Sequence, residues 1–236
     1  MLTTQTSPLA YRGPSTGALA VVSFALFAAS LVISGVMTNG TAIPTLNTPA
    51  EQVRDYYLHF SNVIKFNAML QFASAIPLGI FTAAITNKLQ FHGARVAGVN
   101  IATFGGYSAS LFIAVSALSG WVLTYPGLVN DLAVMRSFQL FQFITGGVAH
   151  VVLLGLLLAG VSIPSLFLKL VPKWLVWLGM VTAVLAELST LSMFFPQLFV
   201  LIPLGRFPAF IWMIGAGFAM PSKKKSITTA IAEAIS

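Results

Sequence analysis

The segment MRSFQLFQFITGGVAH, residues 135–150, places Arg136, Gln139, Gln142, Gly146 and His150 at successive spacings of 3, 3, 4 and 4. At about 100° per residue on a helix, these positions fall within an arc of roughly 120°. One face of the helix would therefore carry a cation, two amides and an imidazole, with a Gly pair (Gly146, Gly147) between them. Such a stripe suits the polar end of a ligand: the guanidinium and amides donate and accept, while the glycines let a neighbour approach the backbone. Three more polar residues interrupt apolar surroundings: Lys65, Glu187 in MVTAVLAELSTLSMFF, and Arg206 in LIPLGRFPAF. A carboxylate kept from water has its charged form disfavoured, which would fit Glu187 for general acid or base work. An adjacent Arg206 would hold it ionised instead.

Other chemistries lack their residues. Without cysteine there is no disulfide, thiolate nucleophile or cysteine-bound metal. The three histidines (His59, His92, His150) fall at different expected depths, which argues against bis-histidine haem, and no H-x-x-x-H or carboxylate cluster suggests a metal. No P-loop, nucleophile elbow or dinucleotide-binding glycine pattern occurs, and Lys65 is poorly placed for a retinal Schiff base. The expectation is of no cofactor and no metal.

The elements that must position these groups follow from composition. Of 236 residues, 57% are hydrophobic and 7% charged, and the mean hydropathy is +0.91. Soluble domains carry about 25% charged residues, so this chain lacks the charge to cover a water-facing surface. Apolar runs long enough for the roughly 20 residues of a membrane helix fall at about 17–37, 60–85, 96–123, 133–160, 174–195 and 199–220. Backbone groups in lipid must be bonded within the segment, so these runs are expected to be helices. The fold class is an all-α integral membrane protein of six transmembrane helices, with residues 1–16 and a basic tail, 221–236, flanking one domain. The N-terminal apolar run, Ala18 to Met37, is too long for the core of a cleavable signal peptide.

With the N-terminus inside, the presumed cytoplasmic segments hold Arg12, Lys88, Arg95, Lys169, Lys173 and Lys223–Lys225, eight of the twelve Lys and Arg. The positive-inside rule then places both termini in the cytoplasm, so the net charge of +7 reflects topology and not nucleic acid. TPAE, residues 48–51, predicts a helix starting near Ala50 with Thr48 as its cap, an amphipathic outer helix ahead of the second span. Asn130 or Asp131 should cap the fourth span, and Pro196, Pro203 and Pro208 should break or kink the outer half of the sixth. The tail after Pro221 is expected to be largely unstructured.

Several stretches, AIPLGIF, SALSGWVLTYPGLVND, LLLAGVSIPSLFLKLVPKWLVWLGMV, AELSTLS and LIPLGRFPAFIW, together resemble an uncharacterised bacterial membrane family known only as a domain of unknown function. The resemblance spans roughly residues 15–220. It implies a multi-pass protein of the bacterial plasma membrane and no reaction, substrate or catalytic residue.

Counted at about 1.5 Å per residue, Lys65, Gln142, Glu187 and Arg206 all lie roughly 10–15 Å from the outer ends of their spans, with His150 deeper. The simplest structural reading pairs Glu187 with Arg206 across a hairpin of spans five and six. Asn100, Thr103, Tyr107 and Ser110 of span three are expected to meet the polar stripe of span four. The leading expectation is an outer-half cavity, lined by Arg136, Gln139, Gln142, His150, Glu187, Arg206 and Lys65, that binds, senses or transports a small amphiphilic or lipid-like ligand. A membrane enzyme acting on a lipid or isoprenoid through Glu187 is the alternative, and a partner subunit with polar packing surfaces is a third. Membrane lipids are the expected partners, nucleic acid is not, and the oligomeric state is open.

Overall fold

The computed structural model describes residues 10–224. Long apolar runs become helices because nothing else bonds every backbone group without water. They are α1 (Thr16–Met37), α3 (Ser61–Phe91), α4 (Ala97–Val122), a fourth span made of α6 (Leu132–Ile144) and α7 (His150–Phe167), α8 (Lys173–Leu188) and α9 (Leu201–Ala219). Six of these segments are long and apolar enough to cross a membrane. The short α2 (Ala50–His59) precedes α3, and the single turn α5 (Pro126–Val129) joins α4 to the fourth span. The expected basic tail from residue 225 onward lies outside the described residues.

Local chemistry sets the ends. Asp131 caps α6, its Oδ1 accepting from Ala133 N at 3.0 Å and Val134 N at 3.1 Å. Thr48 does not cap α2. Its Oγ1 instead accepts from Thr45 N at 2.9 Å, closing a turn that leaves Pro49 at the cap position, one residue later than expected. The sixth span opens with a 3₁₀ turn, Pro196–Val200, and then runs as α9 through Pro203 and Pro208. The fifth span tightens into a 3₁₀ turn as well, Ser189–Met193.

Helix contacts are built on small residues. Gly98, Ala102, Gly105 and Ala109 line one face of α4, and a Cβ on Gly105 would lie 2.6 Å from Leu153 O of α7. A Cβ on Gly160 would lie 2.5 Å from Gly98 O. Close backbone approach of this kind is how membrane helices gain van der Waals contact when lipid removes the hydrophobic drive. The face of α4 expected to be polar therefore turns elsewhere. Asn100 and Tyr107 are exposed, and Ser110 Oγ donates to Ala75 O of α3 at 2.6 Å, so this face does not meet the fourth span.

Polar side chains tie the bundle at both ends. Asn67 Nδ2 of α3 reaches Ser30 O and Ser34 Oγ of α1, both at 2.9 Å. At the face where the described chain begins and ends, Tyr11 N donates to Ser222 O at 2.7 Å. Lys88, expected in a loop, instead occupies the last turn of α3 at 4% exposure, donating to Thr16 Oγ1 at 3.1 Å and Met220 O at 3.4 Å. The loop 38–49 and α2 lie at the opposite face, termed the loop face below.

Candidate functional site

The fourth span is 36 residues long, roughly 54 Å of helix against a hydrocarbon core of about 30 Å. Its middle, Thr145–Ala149, is a π turn. Glycine is a weak α-helix former, and Gly146 and Gly147 stand side by side there. Thr145 Oγ1 also bonds back to Phe141 O at 2.7 Å, competing with the regular ladder. Widening the turn offers backbone carbonyls to outside donors. Ser116 Oγ of α4 donates to Gln142 O at 2.8 Å, and Arg206 Nη2 of α9 donates to Gly146 O. Gly146 is required by this approach, because a Cβ there would meet the Ser116 side chain.

A cavity of about 720 Å³ opens beside the π turn, between α3, α4, the fourth span, α9 and residues 43–47 of the loop. Its walls are mixed. Ile113, Phe143, Phe199 and Ile202 supply apolar surface, while Gln71, Ser116, Gln139, Gln142 and Arg206 supply polar groups. Convergent polar groups on an apolar concavity of this size are typical of small-molecule sites.

Residues 43–47 lie over the cavity like a strap, held by the same polar stripe. Arg136 donates through Nη2 to Leu46 O and through Nη1 to Gln139 Oε1 at 2.6 Å, and Gln139 Nε2 reaches Pro44 O at 3.4 Å. Tyr57 of α2 donates to Gln142 Oε1 at 3.3 Å. Burial, reinforced by neighbouring Tyr56, holds the Tyr57 phenol well above its ordinary range, so it stays a neutral donor. Gln142 finds space for its amide because Gly120 has no side chain: a Cβ there would lie 2.5 Å from Gln142 Nε2.

The seven residues singled out in the sequence separate into groups. Gln139, Gln142 and Arg206 line the cavity, and Arg136 stands behind Gln139 as the anchor of the strap. His150 lies on the stripe but is buried at 1% exposure beyond the cavity, its Nδ1 2.8 Å from Ala109 O. Lys65 and Glu187 are exposed and line none of it. The Glu187–Arg206 pair is absent, since among the described residues the one ion pair is Arg54–Asp55 at 2.9 Å. Helices α8 and α9 touch through the neighbours of both charges: a Cβ on Gly205 would lie 3.1 Å from Ala186 Cα. Adjacent helical residues point about 100° apart, so neither charged side chain faces that contact. Arg206 turns toward Gly146 and the Phe27 ring, whose centroid is 5.4 Å from its Cζ. The Glu187 carboxylate lies instead near Gly155, where a Cβ would come within 3.2 Å of Oε1.

Sequence reasoning missed Ser116, Tyr57 and the strap as parts of the site. Gln71 is an intramembrane amide of the expected second span, but its spacing does not reveal its place in the site. The adjacent glycines after Thr145 were the one available signal for the π turn.

No family, curated protein or solved structure matches the chain, and the resemblance noted in the sequence carries no weight in what the site does.

Proposed function

We propose that this multi-pass membrane protein takes a small amphiphilic or lipid-like ligand into the cavity beside the π turn and binds, senses or transports it. The observation that carries this is the 720 Å³ space itself, with apolar walls and amide and guanidinium groups converging on it. Irregular backbone at membrane depth is tolerated where protein buries it or water reaches it, and the π turn at the cavity wall fits that condition. The excess of Lys and Arg on the terminal segments and their loops supports an N-in, C-in orientation in a plasma membrane, with the loop face outward and the strap at the entrance. The enzyme alternative rested on Glu187, and with that residue away from the cavity no observation favours it.

The test is native mass spectrometry of the full-length protein released from nanodiscs, read for co-purifying adducts. The wild type should carry a small amphiphile, and Ile202→Trp, which fills the cavity from α9, should carry none while remaining folded. Equal adducts on both proteins, or none on the wild type after exposure to a panel of single-chain amphiphiles, would count against the cavity as a binding site.

A further inference from the structure

The cavity's charge balance identifies the ligand more closely, and this step rests on the binding reading above. Among the described residues Arg206 is the one charged group that lines the cavity, and none of the lining residues is acidic. It sits 13 residues from the inner end of α9 at Ala219, roughly 20 Å along the helix and near mid-bilayer. A guanidinium there is costly without a counter-charge, and arginine, unlike lysine, does not escape by losing its proton. What the protein provides is neutral: Gly146 O accepts from Nη2, and the Phe27 ring lies 5.4 Å from Cζ. Nε is buried without an acceptor among the described residues. Glu187, the one acid within a described span, lies near Gly155 and forms no ion pair with Arg206.

Around this cation the neutral polar groups are free to complete a headgroup site. Gln71 and Ser116 both line the cavity, and the Ser116 hydroxyl, though donating to Gln142 O, retains its acceptor capacity. The remainder of the wall is apolar, with Phe143 and Phe199 stacked edge to face at 4.9 Å. We infer that the cavity is built for an apolar carboxylate, its headgroup on the Arg206 guanidinium and its hydrocarbon body against Phe143, Phe199, Ile113 and Ile202. One guanidinium balances one negative charge, which favours a monoanion over a phosphate monoester dianion. Planar carboxylates also match the guanidinium fork.

The experiment compares decanoate, methyl decanoate, decanol, decylamine and decyl phosphate on the full-length protein in zwitterionic nanodiscs at neutral pH. Empty nanodiscs serve as the partition control, and binding is read by displacement of a radiolabelled decanoate. Decanoate should bind at least about tenfold more tightly than the ester, alcohol or amine, a difference of about 1.4 kcal/mol. Arg206→Gln should abolish that preference, with circular dichroism and a single monodisperse peak in size exclusion showing that the variant is folded. Arg206→Lys should retain part of the preference. Should Arg206→Gln not fold, the series on the wild type alone decides. Equal binding of acid and alcohol would overturn the carboxylate assignment and leave the cavity reading intact. Unchanged decanoate affinity in Arg206→Gln, or tighter binding of decyl phosphate, would also overturn it. Binding of none of the five would overturn the cavity reading as well.

Discussion

Arg136→Met removes the guanidinium that holds the strap and keeps an apolar stem of similar reach. In the native protein Arg136 makes two hydrogen bonds, one to Leu46 O across 90 residues of chain and one to Gln139 Oε1 within its own helix. Only the first ties the strap to the fourth span. A hydrogen bond from a charged donor is worth about 1.5–3 kcal/mol, and the half-buried setting of this pair points to the lower end. Gln139 Nε2 to Pro44 O, long at 3.4 Å, is left as the remaining side-chain tie from the stripe. A loss of about 1.5 kcal/mol shifts the opening equilibrium of residues 41–48 roughly tenfold. Hydrogen exchange of the protein in nanodiscs reads this directly, through Thr41 N, bonded to Thr38 O at 2.9 Å, and Thr45 N, bonded to Thr48 Oγ1 at 2.9 Å. Both amides should exchange about tenfold faster in the variant, whereas α3 around Ser74 should be unchanged. If exchange across 41–48 is the same in both proteins, Arg136 does not hold the strap, and its place on the polar stripe needs another account.

Four further outcomes follow from the packing. Asn67→Ala should cost about 1.2 kcal/mol of unfolding free energy in a reversible membrane-unfolding assay, from two interhelical bonds at about 0.6 kcal/mol each. Gly160→Val places side-chain atoms against the backbone of Gly98 and Ala102, which cannot rotate away, so a penalty at or above the usual 1–3 kcal/mol of overpacking should appear as loss of monodisperse protein. Asp131→Ala removes both acceptor contacts at the start of α6 and should lower stability by about 1 kcal/mol, whereas Asp131→Asn should restore most of it. Lys88→Met leaves Thr16 and Met220 without their shared donor, so limited proteolysis within residues 10–15 should speed up several-fold with the helices intact.

The spans were legible because hydropathy and length decide them: the expected run 96–123 became Ala97–Val122, and 174–195 became Lys173–Met193. The stripe in the fourth span was legible for a similar reason, since Arg136, Gln139, Gln142 and Gly146 recur at the helical period and the structure turns all four inward. Pair choice was not. The polar face of α4 and the glycine–alanine face compete for the fourth span, and the latter wins because close backbone approach needs small residues, not matching polarity. The Glu187–Arg206 expectation failed similarly, because equal depth says nothing about azimuth when the contact runs through Ala186 and Gly205. The strap could not be anticipated: its tie is to backbone carbonyls of Pro44 and Leu46, and carbonyls leave no trace in the identity of a side chain.

The π turn also changes what the length of the fourth span means. A π turn is an α-helix carrying one surplus residue, so pulling the turn back into a regular ladder with every residue kept would rotate everything from His150 to Phe167 by about 100° relative to α6. His150 would leave Ala109, and Gly160 would leave its seat on Gly98. A span already longer than the bilayer requires has no need of the extra residue for reach; the bulge that holds it sets phase. Gly146–Gly147 is thus the point at which this helix stores the residue that keeps α7 in phase with its neighbours, and Gly146 has no room there for a side chain.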